Sequence, residues 1–337
     1  MNACDTYPPG IAFLSGGLGD HLTQLPHLAA IARASEGGCI ALGSIRARKA
    51  AALFGHLPYI GPIIDMWEGR HLLRPRTYRT VPRIRALDRP AAWFLHRSTT
   101  MLMLSLLAGQ SRRIGFHRGE RLRRLLLTDP VDLRPHKVPD LWGRGVTPGP
   151  AKAMLEQLGF AIDYNAFRFD ANPQAMDTMA RRYADRPAPW LVLGIGGSWP
   201  EKRWPVEFFI ETIRWLSAKR AMTFVLFGGP ESSEDCARLR ASAPQNANFI
   251  DMTAEGLGLP AEHALVAQSA GYLGNDSFGL NLAAFCARPA IGLFGNTPPL
   301  AYRRNIHAIL PDQGVGMAGI SPAAAVHAAK SWIPALK

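Results

Sequence analysis

Ile11-Ala12-Phe13-Leu14-Ser15-Gly16-Gly17-Leu18-Gly19-Asp20 is the stretch on which the fold reading turns. Four apolar residues running into a glycine turn read as a buried strand. Leu22, Leu25, Leu28, Ala29 and Ile31 then recur on one face of a helix. Outward from there, 39–42 predicts a second strand, 46–54 a helix, and 58–66 a loop with a third strand. That alternation belongs to a parallel sheet with crossover helices.

The same rhythm restarts further on. Residues 171–189 carry a polar helical pattern and then the breakers Arg186-Pro187-Ala188-Pro189. Residues 190–195 predict a strand, Gly196-Gly197-Ser198 a turn, and 205–216 a helix with Phe208, Phe209, Ile213 and Leu216 inward. A strand at 223–227 closes on Gly228-Gly229-Pro230, and strands at 271–273 and 290–294 flank a helix over 278–286. The reading is two α/β domains, 1–172 and 173–337, each built on a parallel sheet.

Composition bounds the function. The chain has 337 residues, 47% hydrophobic and 19% charged, which is a folding composition. A formal charge of +12 favours an anionic partner. Fifteen arginines between Arg70 and Arg134 face four acids, Asp88, Glu120, Asp129 and Asp132. A solvated surface explains such an excess as a bland alternative; a field that draws in a polyanion is the sharper one. Cys4, Cys39, Cys236 and Cys286 have no paired spacing, so neither a zinc site nor a disulfide framework is expected. No basic n-region opens the chain, and the apolar run 101–108 is too short to span a bilayer. The expectation is a soluble cytoplasmic protein, at most peripheral on the inner face of the cytoplasmic membrane.

Three glycine turns follow strands: Gly16 to Asp20, Gly194 to Ser198, and Gly274 to Gly279. Ligands of open α/β sheets bind at the carboxyl ends of the strands, where such turns sit. Any single turn is weak evidence, since tight strand-to-helix turns need glycine anyway. The first lacks G-x-G-x-x-G and an acid after the second strand, and no G-x-x-x-x-G-K-[ST] loop exists, so a dehydrogenase and a P-loop ATPase lose ground. In the second half, Ser198 and Lys202 precede a helix and suit a diphosphate, while Asp276-Ser277 begins another helix. The plain alternatives are an exposed lysine and a helix cap.

Taken in order, these residues resemble the heptosyltransferase family of lipopolysaccharide glycosyltransferases, family 9. The matching motifs are Gly17-Leu18-Gly19-Asp20-His21 with Leu25-Pro26, Gly197-Ser198 with Lys202-Arg203-Trp204-Pro205, Phe227-Gly228-Gly229-Pro230-Glu231, Gly274-Asn275-Asp276-Ser277, and Pro289 to Gly295. The resemblance implies a GT-B architecture, two Rossmann-like domains facing across a cleft, with acceptor on the first and nucleotide sugar on the second. It implies an inverting transfer that needs no metal and no cofactor, the nucleotide diphosphate sugar being substrate. Asp20 would be the general base, on an acceptor-side loop formed by Gly16, Gly17 and Gly19. Ser198 and Lys202 would bind phosphate, Glu231 the ribose, and Asp276 the donor sugar, with Ser277, Gly279 and Asn281 completing the donor set.

The chain departs from the family where Asp276-Ser277 is followed by Phe278 instead of glycine and where Asn281 replaces an expected histidine. ADP-heptose is the first donor to consider, and an anionic glycan of the cell envelope the first acceptor. Alternatives are a protein or secondary-metabolite acceptor with another nucleotide sugar, and a catalytically weak nucleotide- or glycan-binding relative. A nucleic-acid partner would explain the charge but leave Asp20 and the turns idle, and none is expected.

Overall fold

The computed structural model describes residues 6–66, 74–134, 149–197, 199–218, 220–312 and 316–336. Ser198, Arg70 and Cys4 lie outside the described residues. The chain divides into two compact units, Met1–Tyr164 and Asn165–Lys337.

The first unit holds strands β1 (Gly10–Leu14), β2 (Ile40–Ser44), β3 (Ile60–Asp65), β4 (Ala91–Phe94), β5 (Arg112–His117) and β6 (Asp129–Asp132). Helices α1 (Leu18–Arg33), α2 (Ala47–Phe54), α3 (Thr80–Arg85), α4 (Thr99–Leu107), α5 (Arg121–Leu126) and α6 (Gly149–Gln157) accompany them. The sheet order is β3-β2-β1-β4-β5-β6, all parallel. The second unit contains α7 (Pro173–Arg182), β7 (Trp190–Gly194), α8 (Val206–Ser217), β8 (Met222–Phe227), α9 (Ser233–Ser242) and β9 (Ala247–Asp251). It continues with α10 (Leu259–Gln268), β10 (Gly271–Asn275), α11 (Phe278–Phe285), β11 (Ala290–Leu293), β12 (Ile306–Ile309) and α12 (Pro322–Trp332). Its parallel order is β12-β11-β10-β7-β8-β9, the first order repeated. Both sheets are doubly wound, and the direction of winding reverses between β1 and β4 and between β7 and β10. Those two crevices are where a ligand can reach strand ends without meeting a crossover helix.

Strand burial follows the two-sided cover of such sheets. Every position of β1, β2, β4 and β8 is buried, as continuous apolar runs in a parallel sheet require. Phe13 and Phe94 stack across β1 and β4 at 5.2 Å. In the second unit Leu193, Leu226, Leu273 and Ile291 meet Phe209 and Ile213 of α8 in one core. The segment after Tyr164 joins this unit: Phe169 N donates to Phe285 O, and an Arg303 Nη donates to Phe167 O.

Helix α1 differs from the one-faced helix predicted. Every residue from His21 to Ala32 is buried. Its polar members are tolerated because each is hydrogen-bonded inside the protein. His27 Nδ1 meets Gln24 Oε1 at 2.6 Å, and its Nε2 meets the Tyr164 hydroxyl at 2.6 Å. Six elements went unread in the arginine-rich stretch, the strands β4, β5 and β6 and the helices α3, α4 and α5, all of them short; β5 opens on two arginines and β6 contains a proline. Among the described residues no helix is long and apolar enough to cross a membrane.

At the second switch point β7 and β10 place Gly194 opposite Gly274. A Cβ on Gly194 would lie 1.7 Å from the Tyr272 hydroxyl oxygen, and one on Gly274 would lie 2.4 Å from Gly194 O. Neither neighbour is free to give way, since Gly194 is backbone and the Tyr272 hydroxyl is fixed by its bond to Asn275 O at 2.9 Å. Gly274→Ala is therefore expected to cost at least the roughly 1–3 kcal/mol typical of overpacking. Gly258→Ala, where a Cβ would find only Pro260 Cδ at 3.8 Å, should cost no more than about 1 kcal/mol. Denaturant unfolding of the two variants side by side checks this; equal midpoints would refute it.

Candidate active site

At the first switch point the chain leaves β1 through Ser15, Gly16 and Gly17 and enters α1. Gly16 has φ +88°, and a Cβ there would lie 2.3 Å from Asp20 Oδ2. The glycine lets the Asp20 carboxylate fold back and accept the Gly17 N–H at 2.6 Å. Asp20 thus sits exposed on the first turn of α1, in one fixed orientation. Gly19 lies within that same first turn.

The turn is braced from behind. The Gly17 carbonyl accepts from His21 Nδ1 at 2.8 Å, so that nitrogen carries the ring proton. Nε2 then accepts from the Ser44 hydroxyl at 2.7 Å, and Ser44 Oγ accepts the Arg46 N–H at 2.9 Å. Burial holds the His21 ring below its usual pKa, which keeps it in this neutral, one-proton form. His21 was legible only as part of a motif; its link to Ser44 spans 23 residues of sequence.

Asp20 borders a cavity of about 510 Å³ within the first unit, lined also by Ser15, Thr23, Gln24, His96 and Arg97. The last two belong to the loop after β4, the other wall of the switch point. Ser98 N donates to His96 Nδ1 at 3.0 Å. Burial pushes the His96 ring down to about 3, aided by the positive Arg123 and by His21. Arg97 pairs with Glu120 at 2.5 Å. The sequence signal for this wall was the apolar run after Pro90, ending in His96-Arg97-Ser98. Not all the arginines of this region are free field. Arg123 is 2% exposed, donating to Phe116 O at 2.5 Å and to His96 O at 2.8 Å. Its place beside the exposed Arg121 and Arg124 in the sequence suggested otherwise. The difference lies in its two acceptors, the Phe116 carbonyl of β5 and the His96 carbonyl of the loop after β4.

In the second unit Lys202 and Asp276, 74 residues apart, meet with Nζ 2.9 Å from Oδ2. Both side chains are about one-fifth exposed, 21% and 18%, so the pair is partly shielded but reachable. Thr297 Oγ1 donates to the same carboxylate oxygen at 3.0 Å. Asn275 supports the arrangement: its Oδ1 accepts the Trp204 N–H at 3.0 Å and its Nδ2 donates to Ile195 O at 2.7 Å. Arg203 Nε to Gly197 O at 3.1 Å and Asn296 Nδ2 to Glu201 O at 2.7 Å close the loop. Loops after β7, β10 and β11 are thereby fastened around one ion pair.

The remaining donor-side residues are dispersed around it. Ser277 Oγ lies 3.1 Å from the Tyr272 hydroxyl. Gly279 is packed so tightly that a Cβ would sit 2.9 Å from Tyr272 and 3.0 Å from Phe227. Glu231 is exposed in the turn after β8, and that turn touches the first: a Cβ on Gly196 would meet Gly228 Cα at 2.9 Å. Asn281 does not present a free amide. Its Nδ2 donates to Ser277 O at 3.1 Å and its Oδ1 accepts from the Tyr302 hydroxyl. Phe278 packs on Phe227 with centroids 5.9 Å apart. Thr297 and Tyr302 carried no sequence signal, because each works through a partner distant in the chain, and Asn275 was legible only as part of a motif.

Two doubly wound units, each with polar groups gathered at its own switch point, define an α/β enzyme of the GT-B class. Residues 101–332 match the model of glycosyltransferase family 9 (heptosyltransferase), and the chain belongs to that family: it is a glycosyltransferase. The match opens in α4, so the Gly16–Asp20 turn lies ahead of it. The glycosyl transferase family 9 structure from Veillonella parvula superposes with a TM-score of 0.78 at 17% identity, covering 98% of each chain. An E. coli ADP-heptose lipopolysaccharide heptosyltransferase II gives 0.74 at 18% identity, covering 97% of this chain and 98% of that one. The E. coli heptosyltransferase WaaC with ADP-2-deoxy-2-fluoro heptose gives 0.70 at 14%, covering 96% and 99%. At such identities the likeness is one of fold. No curated protein matches the chain.

The buried rings set a pH dependence. Burial, with a smaller contribution from Lys152, lowers His27 to about 3, and His96 is lowered to about 3. Both stand at 6.5 when unfolded. Above that value both states are neutral and neither ring contributes. Between 6.5 and about 3 the unfolded chain takes up protons that the folded one refuses, so stability falls with pH. The expected loss approaches 1.4 kcal/mol per pH unit for each ring, about 1.36 being one pKa unit. Unfolding free energies between neutral pH and pH 5 check it, and His27→Gln should flatten the slope. An unchanged slope in that variant would remove His27 from the account.

Proposed function

We propose that this glycosyltransferase moves a sugar, heptose from ADP-heptose foremost, from a nucleotide diphosphate donor to a hydroxyl of a lipopolysaccharide-core or related cell-envelope glycan. The transfer inverts the anomeric centre and uses no metal ion. The observation that carries the reading is the Lys202–Asp276 pair. It joins a cation suited to a diphosphate and an acid suited to sugar hydroxyls at the switch point of a family 9 chain. The ADP-heptose named for the E. coli structures of the same fold supports the choice of donor.

In this mechanism the acceptor oxygen attacks the anomeric carbon while Asp20 takes its proton. The bond to the diphosphate oxygen breaks, and the electron pair leaves with the nucleotide. Lys202 offsets the charge that grows on that oxygen, a preorganised positive group that needs no rearrangement. Asp276, which accepts from Lys202 and Thr297, would hold the donor sugar. Ser198 and Glu231 would contact phosphate and ribose. Ser277, Gly279 and Asn281 would shape the floor, Asn281 through Ser277 and Tyr302. The amide of Asn281, already bound on both sides, favours a second reading in which another nucleotide sugar is used. A panel of ADP-, UDP-, GDP- and dTDP-linked sugars in a donor-hydrolysis and thermal-shift assay decides between them.

Asp20→Asn should lower turnover by about 10² to 10⁴ and leave donor binding nearly unchanged. Wild-type turnover would remove Asp20 as base, and lost donor affinity would give it another task. Lys202→Ala should weaken nucleoside diphosphate binding and slow transfer, whereas EDTA should do neither to the wild type. Activity that collapses on chelation and returns with magnesium or manganese would place the reaction in the metal-dependent class.

A further inference from the structure

Helix α5 is turned inside out. Its sequence, Arg-Leu-Arg-Arg-Leu-Leu over residues 121–126, would be expected to bury leucine and expose arginine. Instead Arg123 is buried, while Leu122 is 58% and Leu125 80% exposed. The rotation is fixed by specific bonds. Arg123 is held by Phe116 O and His96 O, and its guanidinium lies over the Phe116 ring at 5.4 Å. Glu120, just ahead of the helix, is tied to Arg97, and Leu127, just behind it, is buried. The leucines therefore face outward as a consequence of the fold and have no room to turn in.

They are not alone. Helix α5 packs on α4, and α4 on α3, with Arg85 of α3 donating to Leu107 O of α4. On α4, Leu106 and Leu107 are 39% and 44% exposed. Arg83 and Arg85 on α3, and Arg121 and Arg124 on α5, are exposed as well. None of the three helices contains an acidic residue. The face thus combines outward leucines with exposed guanidinium groups that outnumber the nearby acids Asp88 and Glu120.

We infer that this face of α3, α4 and α5 docks on an anionic lipid bilayer. The leucines would enter the boundary between head groups and acyl chains, and the arginines would stay at phosphate level with their stems along the apolar surface. Charge separates this occupant from the alternatives. A second copy on a two-fold axis would set arginine against arginine, with only the exposed Asp88 behind α3 and Glu120, already tied to Arg97, to offset them. A nucleic acid would satisfy the arginines and leave Leu122 and Leu125 in water. Only a surface that is anionic and apolar a few ångströms deeper uses both.

The test takes the full-length protein and two kinds of vesicle, phosphatidylcholine alone and phosphatidylcholine mixed with phosphatidylglycerol. Wild type is expected to sediment with the mixed vesicles and not with the neutral ones, and less so as salt rises. Leu122→Ser with Leu125→Ser should weaken partitioning by at least about tenfold, with an unchanged melting temperature. Leu125→Ser alone, at the most exposed position, should act in the same direction should the double variant fold poorly. Arg121→Gln with Arg124→Gln should weaken binding and flatten its salt dependence. Absence of wild-type binding, or leucine variants that bind as wild type does, would overturn the inference. So would a wild-type dimer that the leucine variants dissociate. The readout uses neither nucleotide nor acceptor, so it stands apart from the transfer reading.

Discussion

At the switch point of each sheet, main chain and side chain must pass closer than any Cβ allows. In the first unit Gly16 gives up its Cβ to the Asp20 carboxylate. In the second Gly194 gives it up to the Tyr272 hydroxyl, and Gly274 to Gly194 itself. Everything polar at the two sites is organised by these close approaches. With Gly16 in place the Asp20 carboxylate can reach the Gly17 N–H. With Gly194 and Gly274 in place the Tyr272 hydroxyl can reach Asn275 O and Ser277, and Asn275 can span from β10 to the loop after β7. The doubly wound topology supplies the crevice, and the glycines make it tight enough for backbone groups to act as part of the site.

The two sites solve different electrostatic problems. Asp20 is exposed and held by a single N–H, while a row of neutral, one-proton contacts from His21 to Ser44 keeps the turn from shifting. Burial lowers the pKa of both rings, which favours the neutral form of the bracing. The second unit instead sets opposite charges together. Lys202 and Asp276 pair in a partly shielded place, and Thr297 donates to the same carboxylate oxygen. A cation kept in position by a protein acid is already in place when an anionic group arrives.

The arginine excess divides in the same way between structure and surface. Arg112 pairs with Asp129 at 3.0 Å, and Arg113 donates to Leu126 O at 2.7 Å and to Gln110 O at 2.5 Å. With Arg123, these residues satisfy carbonyls and an acid at the edges of a sheet whose strands are short. Other arginines of the stretch are exposed, among them Arg74, Arg76, Arg79, Arg97 and Arg134 as well as Arg83 and Arg85 on α3 and Arg121 and Arg124 on α5; on α5 they stand beside the outward leucines. Net charge alone describes neither part.

The sequence by itself determined the α/β class and the family, and it marked the residues proposed for the chemistry. Strand, glycine turn and helix are local patterns, and Asp20, Lys202 and Asp276 stand next to such turns. Their neighbours along the chain were enough to mark them. Tertiary structure decided which residues hold these in place and which way α5 faces. His21 with Ser44, Lys202 with Asp276, Asn281 with Tyr302 and Arg123 with His96 are separated by 23, 74, 21 and 27 residues. Periodicity reports which positions share a face of a helix; it carries no information about which distant carbonyl or hydroxyl that face will meet. For α5 that information reversed the expected orientation. Hydrogen bonds to the carbonyls of Phe116 in β5 and His96 in the loop after β4 take the place of the burial of two leucines, an arrangement set only once β4, β5 and α5 are packed together.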